Sequence, residues 1–361
     1  MTGNENGTTG RINLLSNTRW VNDAIRLRTP HSHALASVGL SLNRELIAPM
    51  KFSQEAMYFP LGFPLRILSN SAAIHAAAAK SWGYFRQAFP HRPLEMRIDL
   101  KEDVAGADTL PPEPVHSVRG HLFVYAADIN NFTIADLNEG RAVGCVTRAT
   151  VASPNYLRYY MLEATALVMV ATLRAVALHG ACVRVQDRGI LLCGDSGAGK
   201  STLAYAGARS GWTFVCDDAC YLPFEREDRM VVGNCHQVRF RPSACTLFPE
   251  IEGFPITPRA TGKPSVEVST SEWPELATAD AASVDHIVFL NRSPGPCQEL
   301  VPVPRASAWP WFRQHVMATS GSRPLQEGAL SRLLKAEVFE LRYQEMNWAI
   351  DRINQLATSG Q

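Results

Sequence analysis

Apolar positions along the chain change period several times, and each change marks an element. Residues 57–68 (MYFPLGFPLRIL) are aromatic and branched but interrupted by Pro60, Gly62 and Pro64, which predicts a broken or edge strand. Ser69-Asn70-Ser71 offers a cap for an Ala-rich helix over 72–85, ended by Pro90 and Pro93. Residues 94–100 (LEMRIDL) alternate as a strand, and 104–114 read as a loop rich in Pro, Gly and acid. Three strands follow at 120–127, 132–137 and 142–148. Asn130-Asn131 and Asn138-Glu139-Gly140 between them are tight-turn chemistry, so the group predicts an antiparallel meander.

The second half opens with a long apolar helix over 155–176 and a strand over 177–185. A turn at Asp187-Arg188-Gly189 leads into a short apolar strand that stops at Gly194, and a helix begins near Lys200. Residues 212–216 form a buried strand. Residues 219–224 and 230–235 pair as a hairpin, and 236–241 continue the same sheet. A short helix over 243–248, strands at 265–268, 286–290 and 338–343, and helices over 306–317, 325–336 and 345–356 complete the pattern. Residues 11–48 carry little periodicity.

Length and composition add limits. At 361 residues the chain is long for one domain. The pattern divides it into a disordered tip (1–12), a small α+β N-terminal domain (13–153) and a second domain (154–361). A hydrophobic share of 46% and a charged share of 19% leave ample material for cores. The net charge of +1, without a basic run, gives no case for nucleic acid. The apolar run 161–178 is interrupted by Glu163 and Arg174, too soon to span a bilayer. No signal peptide opens the chain, and none of the eight cysteines forms a C-x-x-C pair, which points to reduced, mostly buried thiols in the cytoplasm.

The chemistry concentrates in residues 190–202. Gly194-Asp195-Ser196-Gly197-Ala198-Gly199-Lys200-Ser201-Thr202 follows the spacing G-x-x-x-x-G-K-[ST], between a strand and a helix. Glycines let successive N–H groups turn inward around a polyphosphate, and a helix N-terminus adds its positive end. Lys200 is placed to reach the β- and γ-phosphates, and the Ser201 hydroxyl to ligate Mg²⁺. Downstream, the strand 212–216 ends in Asp217-Asp218. A carboxylate there can hold the metal or take a proton from an acceptor hydroxyl. Arg239 and Arg241 alternate on one strand, so both could contact phosphate. Lys263, in a Thr-Gly-Lys-Pro loop, is a weaker candidate of the same kind. His179, taken alone, reads as a core histidine.

LHGACV, GDSGAGKST and RSGWTFVCDDACYL together resemble the catalytic domain of HPr kinase/phosphorylase and its wider family of HPr kinase-like proteins. The resemblance is strong over 177–222 and weaker through Arg239-Phe240-Arg241 and the closing VFELRY strand and helix. It implies an α/β phosphate-loop domain like that of phosphoenolpyruvate carboxykinases, on a mixed, strongly antiparallel sheet. It further implies ATP and Mg²⁺, Asp218 as base on the acceptor hydroxyl, Asp217 near the metal with Ser201, His179 lining the site, and closed homo-oligomers. Thr202 stands where HPr kinase/phosphorylases usually carry an acid, and their Gly-rich signature segment is missing. The expectation is therefore an ATP-dependent kinase acting on a hydroxyl, serine by preference, of a protein, peptide or small molecule. A nucleotide-binding regulatory module without turnover is the second reading.

Overall fold

The computed structural model describes residues 52–258, 264–292, 297–316 and 322–359. The expected tip at 1–12, the weak pattern over 11–48 and the candidate Lys263 lie outside the described residues.

The N-terminal layer is a seven-stranded mixed sheet. Its strands are β1 (Gln54–Tyr58), β2 (Leu65–Ser69), β3 (Leu94–Lys101), β4 (Val115–Arg119), β5 (Leu122–Ala126), β6 (Phe132–Asp136) and β7 (Arg141–Thr147), in the order β1-β2-β3-β7-β6-β5-β4. The prolines and Gly62 break the first apolar run as expected, and β1 is an edge. The meander is present, with β5, β6 and β7 antiparallel in sequence. It has one more strand than its apolar pattern shows, because β4 (VHSVR) is an exposed edge whose side chains need no alternation.

Helix α1 (Ala72–Trp82) packs Ile74, Ala77, Ala78 and Trp82 into the core of this layer. Ser71 occupies its N-cap, but the side chain makes no capping bond. Ser69 instead accepts from the Ser71 N–H at 3.1 Å, and Asn70 turns away to Asp99 and Leu100.

Helix α2 runs over 154–173: α-helical at Pro154–Tyr156 and Ala164–Leu173, π-helical between them at Leu157–Glu163. Its apolar residues, among them Leu157, Tyr160, Met161, Met169 and Val170, share one core with Leu65, Ile67, Met96 and Ile98 of the N-terminal sheet. The helix expected to open the second domain thus lies against the first. Tyr221 and Val232 of the second half complete that core.

The second half builds a nine-stranded mixed sheet. Its strands are β8 (Ala175–Leu178), β9 (Ala181–Val185), β10 (Arg188–Cys193), β11 (Thr213–Cys216), β12 (Cys220–Pro223) and β13 (Met230–Gly233), with β17, β18 and β19 given below. A separate three-stranded sheet holds β14 (Gln237–Phe240), β15 (Ile256–Pro258) and β16 (Pro264–Ser269). Strands β17 (Ala281–Arg292), β18 (Glu299–Pro302) and β19 (Glu337–Tyr343) close the large sheet. Only the pairs β10–β17 and β17–β19 are parallel there; β8–β12, β12–β13, β13–β17, β9–β10, β9–β11 and β18–β19 are antiparallel. This is the mixed, largely antiparallel α/β sheet that the family resemblance implies.

The strand expected over 177–185 is two strands, split at His179-Gly180. β8 leaves to pair with β12, while β9 pairs with β10 and β11. Likewise 236–241 does not continue the large sheet, because β14 finds its partner in β16 instead.

Alternation then sorts the side chains of the large sheet. Ile190, Leu192, Val288 and Leu290 face helix α3 (Lys200–Arg209), whereas Leu191, Cys193, Ile287 and Phe289 face the opposite side. Helices α4 (Arg305–His315) and α5 (Arg323–Leu333) cover that opposite side, and α6 (Met346–Thr358) joins α3. All eight cysteines are free thiols, six of them buried. No helix among the described residues is long and apolar enough to cross a membrane.

Candidate phosphate-binding site

Strand β10 is buried between β9 and β17 and delivers the chain to Gly194 at the edge of the sheet's core. From there Gly194, Gly197 and Gly199 take φ of 142°, 100° and 97°, so the loop turns three times in conformations that suit glycine. Gly199 is the N-cap of α3, and the loop ends at the positive end of a ten-residue helix. Ser196 and Gly197 are exposed at the loop's tip.

The loop has a brace that sequence reasoning missed. Tyr343, at the end of β19 and almost fully buried, donates from its hydroxyl to the Ala198 carbonyl at 3.1 Å. A Cβ on residue 199 would sit 2.6 Å from that hydroxyl oxygen. The only sequence signal was the buried-strand pattern of VFELRY, which says nothing about a contact 145 residues away. Tyr343→Phe removes one part-buried hydrogen bond and is expected to cost about 1 kcal/mol, read as a lowered midpoint in urea. An unchanged midpoint would mean that the hydroxyl does not hold the loop.

Lys200 is buried, and its ammonium donates to the carbonyls of Gly194 (2.7 Å) and Asp195 (3.1 Å). Burial pulls its pKa down to about 8, against the opposing pull of Asp218, Cys193 and Asp195. Ser201 donates to the Asp217 carbonyl at 3.1 Å, which ties the first turn of α3 to the end of β11. Arg241 reaches the loop from beyond β14, donating to the Ser196 hydroxyl at 2.9 Å.

Asp217 and Asp218 behave differently, as neighbours at a strand end should. Asp217 is buried, and its Oδ2 accepts from the Arg239 N–H at 3.0 Å. The Asp218 side chain is 44% exposed, and its Oδ1 lies 3.9 Å from His179 Nδ1. That distance is an ionic contact at most and too long for a hydrogen bond. His179 sits in the break between β8 and β9. Its burial, with the nearby charge of Lys200, lowers its pKa to about 3 against the pull of Asp218. At neutral pH the imidazole is therefore uncharged. Among the described residues, then, Lys200, Ser201, Asp217, Asp218, His179 and Arg241 converge.

Arg239 takes a different course. Its backbone meets Asp217, but its guanidinium is held by Glu163 (3.2 Å) and Glu267 (3.0 Å), while Arg241 reaches the loop at Ser196. Carboxylates thus hold the Arg239 guanidinium, while that of Arg241 meets the tip of the loop.

Residues 171–241 match the family model described as HPr Serine kinase C-terminal domain. The chain is similar to that domain over this segment, which is about a fifth of its length. The matched residues run from the end of α2 through Arg241 and contain the phosphate loop, Asp217-Asp218 and His179. Among solved structures, the Hpr(Ser) kinase/phosphatase from Coxiella burnetii is similar at 14% identity, with a TM-score of 0.29. That match covers 51% of this chain and 99% of that one, and at such a score it transfers no residue role. No curated protein matches the sequence.

The buried imidazole has a consequence for stability. An unfolded histidine titrates near about 6.5. Between that value and about 3 the unfolded chain binds a proton that folded His179 does not. Stability should therefore rise with pH across this window, His179 contributing up to ~1.4 kcal/mol per pH unit. Denaturant melts between pH 4 and 7 should show a slope shallower by about one proton in His179→Gln than in wild type. Parallel slopes would contradict the burial assigned to this ring.

Proposed function

We propose that this protein is an ATP-dependent kinase that transfers the γ-phosphoryl group to a hydroxyl, serine by preference, of a protein, peptide or small-molecule acceptor. The observation that carries this reading is the meeting of a phosphate loop (Lys200, Ser201) at the end of β10 with the acidic pair Asp217-Asp218 that follows β11: Ser201 bonds the Asp217 main-chain carbonyl, and Lys200 feels the Asp218 charge. The HPr kinase-like segment supports a kinase or phosphatase chemistry of this kind.

The donor set fits ATP and Mg²⁺. Three glycines of positive φ lead to a helix N-terminus, a buried ammonium bonds the Gly194 carbonyl, and the Ser201 hydroxyl lies on the Asp217 main-chain carbonyl, with oxygen donors of the sort Mg²⁺ takes. Mg²⁺ would neutralise phosphate charge and fix the phosphates' orientation. In this reading Gly194 to Thr202 bind the phosphates, Lys200 counters their charge, and Arg241 adds a second cation at the loop's tip. Ser201 and Asp217 hold the metal. Asp218, the more exposed carboxylate, accepts the proton of the attacking hydroxyl. His179 stays neutral beside it, so no cation sits at 3.9 Å to weaken that base.

Catalysis by such a site is mostly positioning and charge neutralisation. We also place 13–153 as the N-terminal domain and 154–361 as the catalytic one, with α2 as the piece that packs across the boundary. The test is transfer of labelled γ-phosphate from ATP to serine-bearing acceptors, followed by acid treatment of the product. A hydroxyl ester keeps its label in acid. Label lost in acid would move the acceptor to a histidine or carboxylate, and ATP binding with no transfer would favour the regulatory module.

A further inference from the structure

The π-helical turn of α2 coincides with a group of largely buried charges that the site above does not use. In an α-helix, residues five apart lie about 140° out of phase; the wider π turn, with its i→i+5 bonding, brings them towards one face. Arg158 and Glu163 are five apart on that turn, and their side chains meet at 3.3 Å. Arg158 also donates to Glu267 at 3.2 Å. Arg239 donates to Glu267 at 3.0 Å and to Glu163 at 3.2 Å. Each carboxylate is thus shared by both guanidinium groups, and the charges sum to zero.

Neighbours fix the group further. Tyr159 donates to Glu267 at 2.8 Å, and its ring centroid lies 5.0 Å from the Arg158 guanidinium carbon and 4.8 Å from that of Arg239. Ser81 of α1 accepts from Arg158 at 3.1 Å and donates to Glu163 at 2.8 Å. The Arg158 side chain is only 3% exposed.

The main chain of Arg239 links this group to the phosphate site: its backbone N–H donates to Asp217 Oδ2 at 3.0 Å. We infer that Arg158, Glu163, Arg239 and Glu267 form a positioning box that sets the orientation of the Asp217 carboxylate, and that α1 and α2 control the phosphate site through it. Buried ion pairs add little net stability over apolar packing, and in some proteins they instead select one arrangement of the groups they hold. Here the selected arrangement ends at a carboxylate that, on the phosphotransfer reading, faces the metal. The inference rests on that reading for its effect on turnover, but not for its effect on Asp217.

The test is the double variant Arg158→Met with Glu163→Gln, which removes one charge of each sign and leaves Arg239 paired with Glu267. Two quantities are measured beside wild type: amide hydrogen exchange at Arg239, and the Mg²⁺ midpoint of nucleotide turnover. Loss of a supporting partner of this kind typically costs roughly 10- to 100-fold, and a rise of that order is expected in both, with metal-free nucleotide affinity unchanged. Arg158→Lys, which keeps the charge but loses the forked contact, gives a smaller shift in the same direction and serves if the double variant does not fold. Exchange and midpoint both at wild-type values in a folded variant overturn the box. Faster exchange at Arg239 with no turnover even in wild type keeps the box and sinks the kinase reading instead.

Discussion

Asp218→Asn is expected to lower phosphoryl transfer by roughly 10²- to 10⁴-fold, the usual weight of a positioned general base. Nucleotide affinity should stay within a few-fold of wild type. The amide keeps the shape of the carboxylate but cannot take the proton of the attacking hydroxyl. The expectation singles out Asp218 because of how the strand end divides the pair. Asp217 is buried with Oδ2 already accepting from Arg239, whereas Asp218 is 44% exposed and turned towards His179. Asp217→Asn should act instead on the Mg²⁺ requirement. A pair of variants with the opposite division would exchange the two roles.

Lys200→Ala should cost most of the nucleotide affinity, because a charge-assisted phosphate contact contributes roughly 1.5–3 kcal/mol. Calorimetry would read this as a dissociation constant about 10- to 150-fold higher. The depressed pKa adds a signature. With a free-protein pKa of about 8, Lys200 loses its proton progressively above that pH. Phosphates beside it favour the charged form, so the complex holds the proton to higher pH than the free protein does. Binding must then take up protons near pH 8 to 9, and affinity must fall as pH rises through that range. Titrations in buffers of different ionisation enthalpy measure the uptake directly. Wild-type affinity in the alanine variant, or proton release near pH 8, would count against the loop's assignment.

The phosphate loop was legible because its chemistry demands a fixed spacing between a strand and a helix, and both flanks carry their own periodicity. Asp217-Asp218 was legible as the end of an apolar run. The break at His179-Gly180 was not, since 175–185 is apolar on both sides of it. The run splits because its halves have different partners, and Gly180 lies where a Cβ would come within 2.9 Å of the Leu192 carbonyl oxygen. Pairing between distant segments also explains why β14 was misplaced: its partner β16 comes only at 264.

The fate of Arg239 shows the same limit at the level of one side chain. Alternation assigns it a face of β14 but cannot say that Glu163, 76 residues earlier, and Glu267, 28 later, wait on that face. The π turn that brings Glu163 there was invisible too, because a π segment leaves an apolar helical run looking like any other. Tyr343 belongs with these cases: its strand was read correctly, and its contact with Ala198 depends on where β19 lies beside β17 in the sheet.

On this reading Asp218 and the phosphate loop work as one phosphotransfer site. The most direct measurement is ADP release from ATP across a panel of serine-bearing acceptors, with and without Mg²⁺, for wild type and Asp218→Asn. Release should need both Mg²⁺ and an acceptor, and should be lost in the variant while ATP still binds. Release from Asp218→Asn within a few-fold of wild type would contradict it.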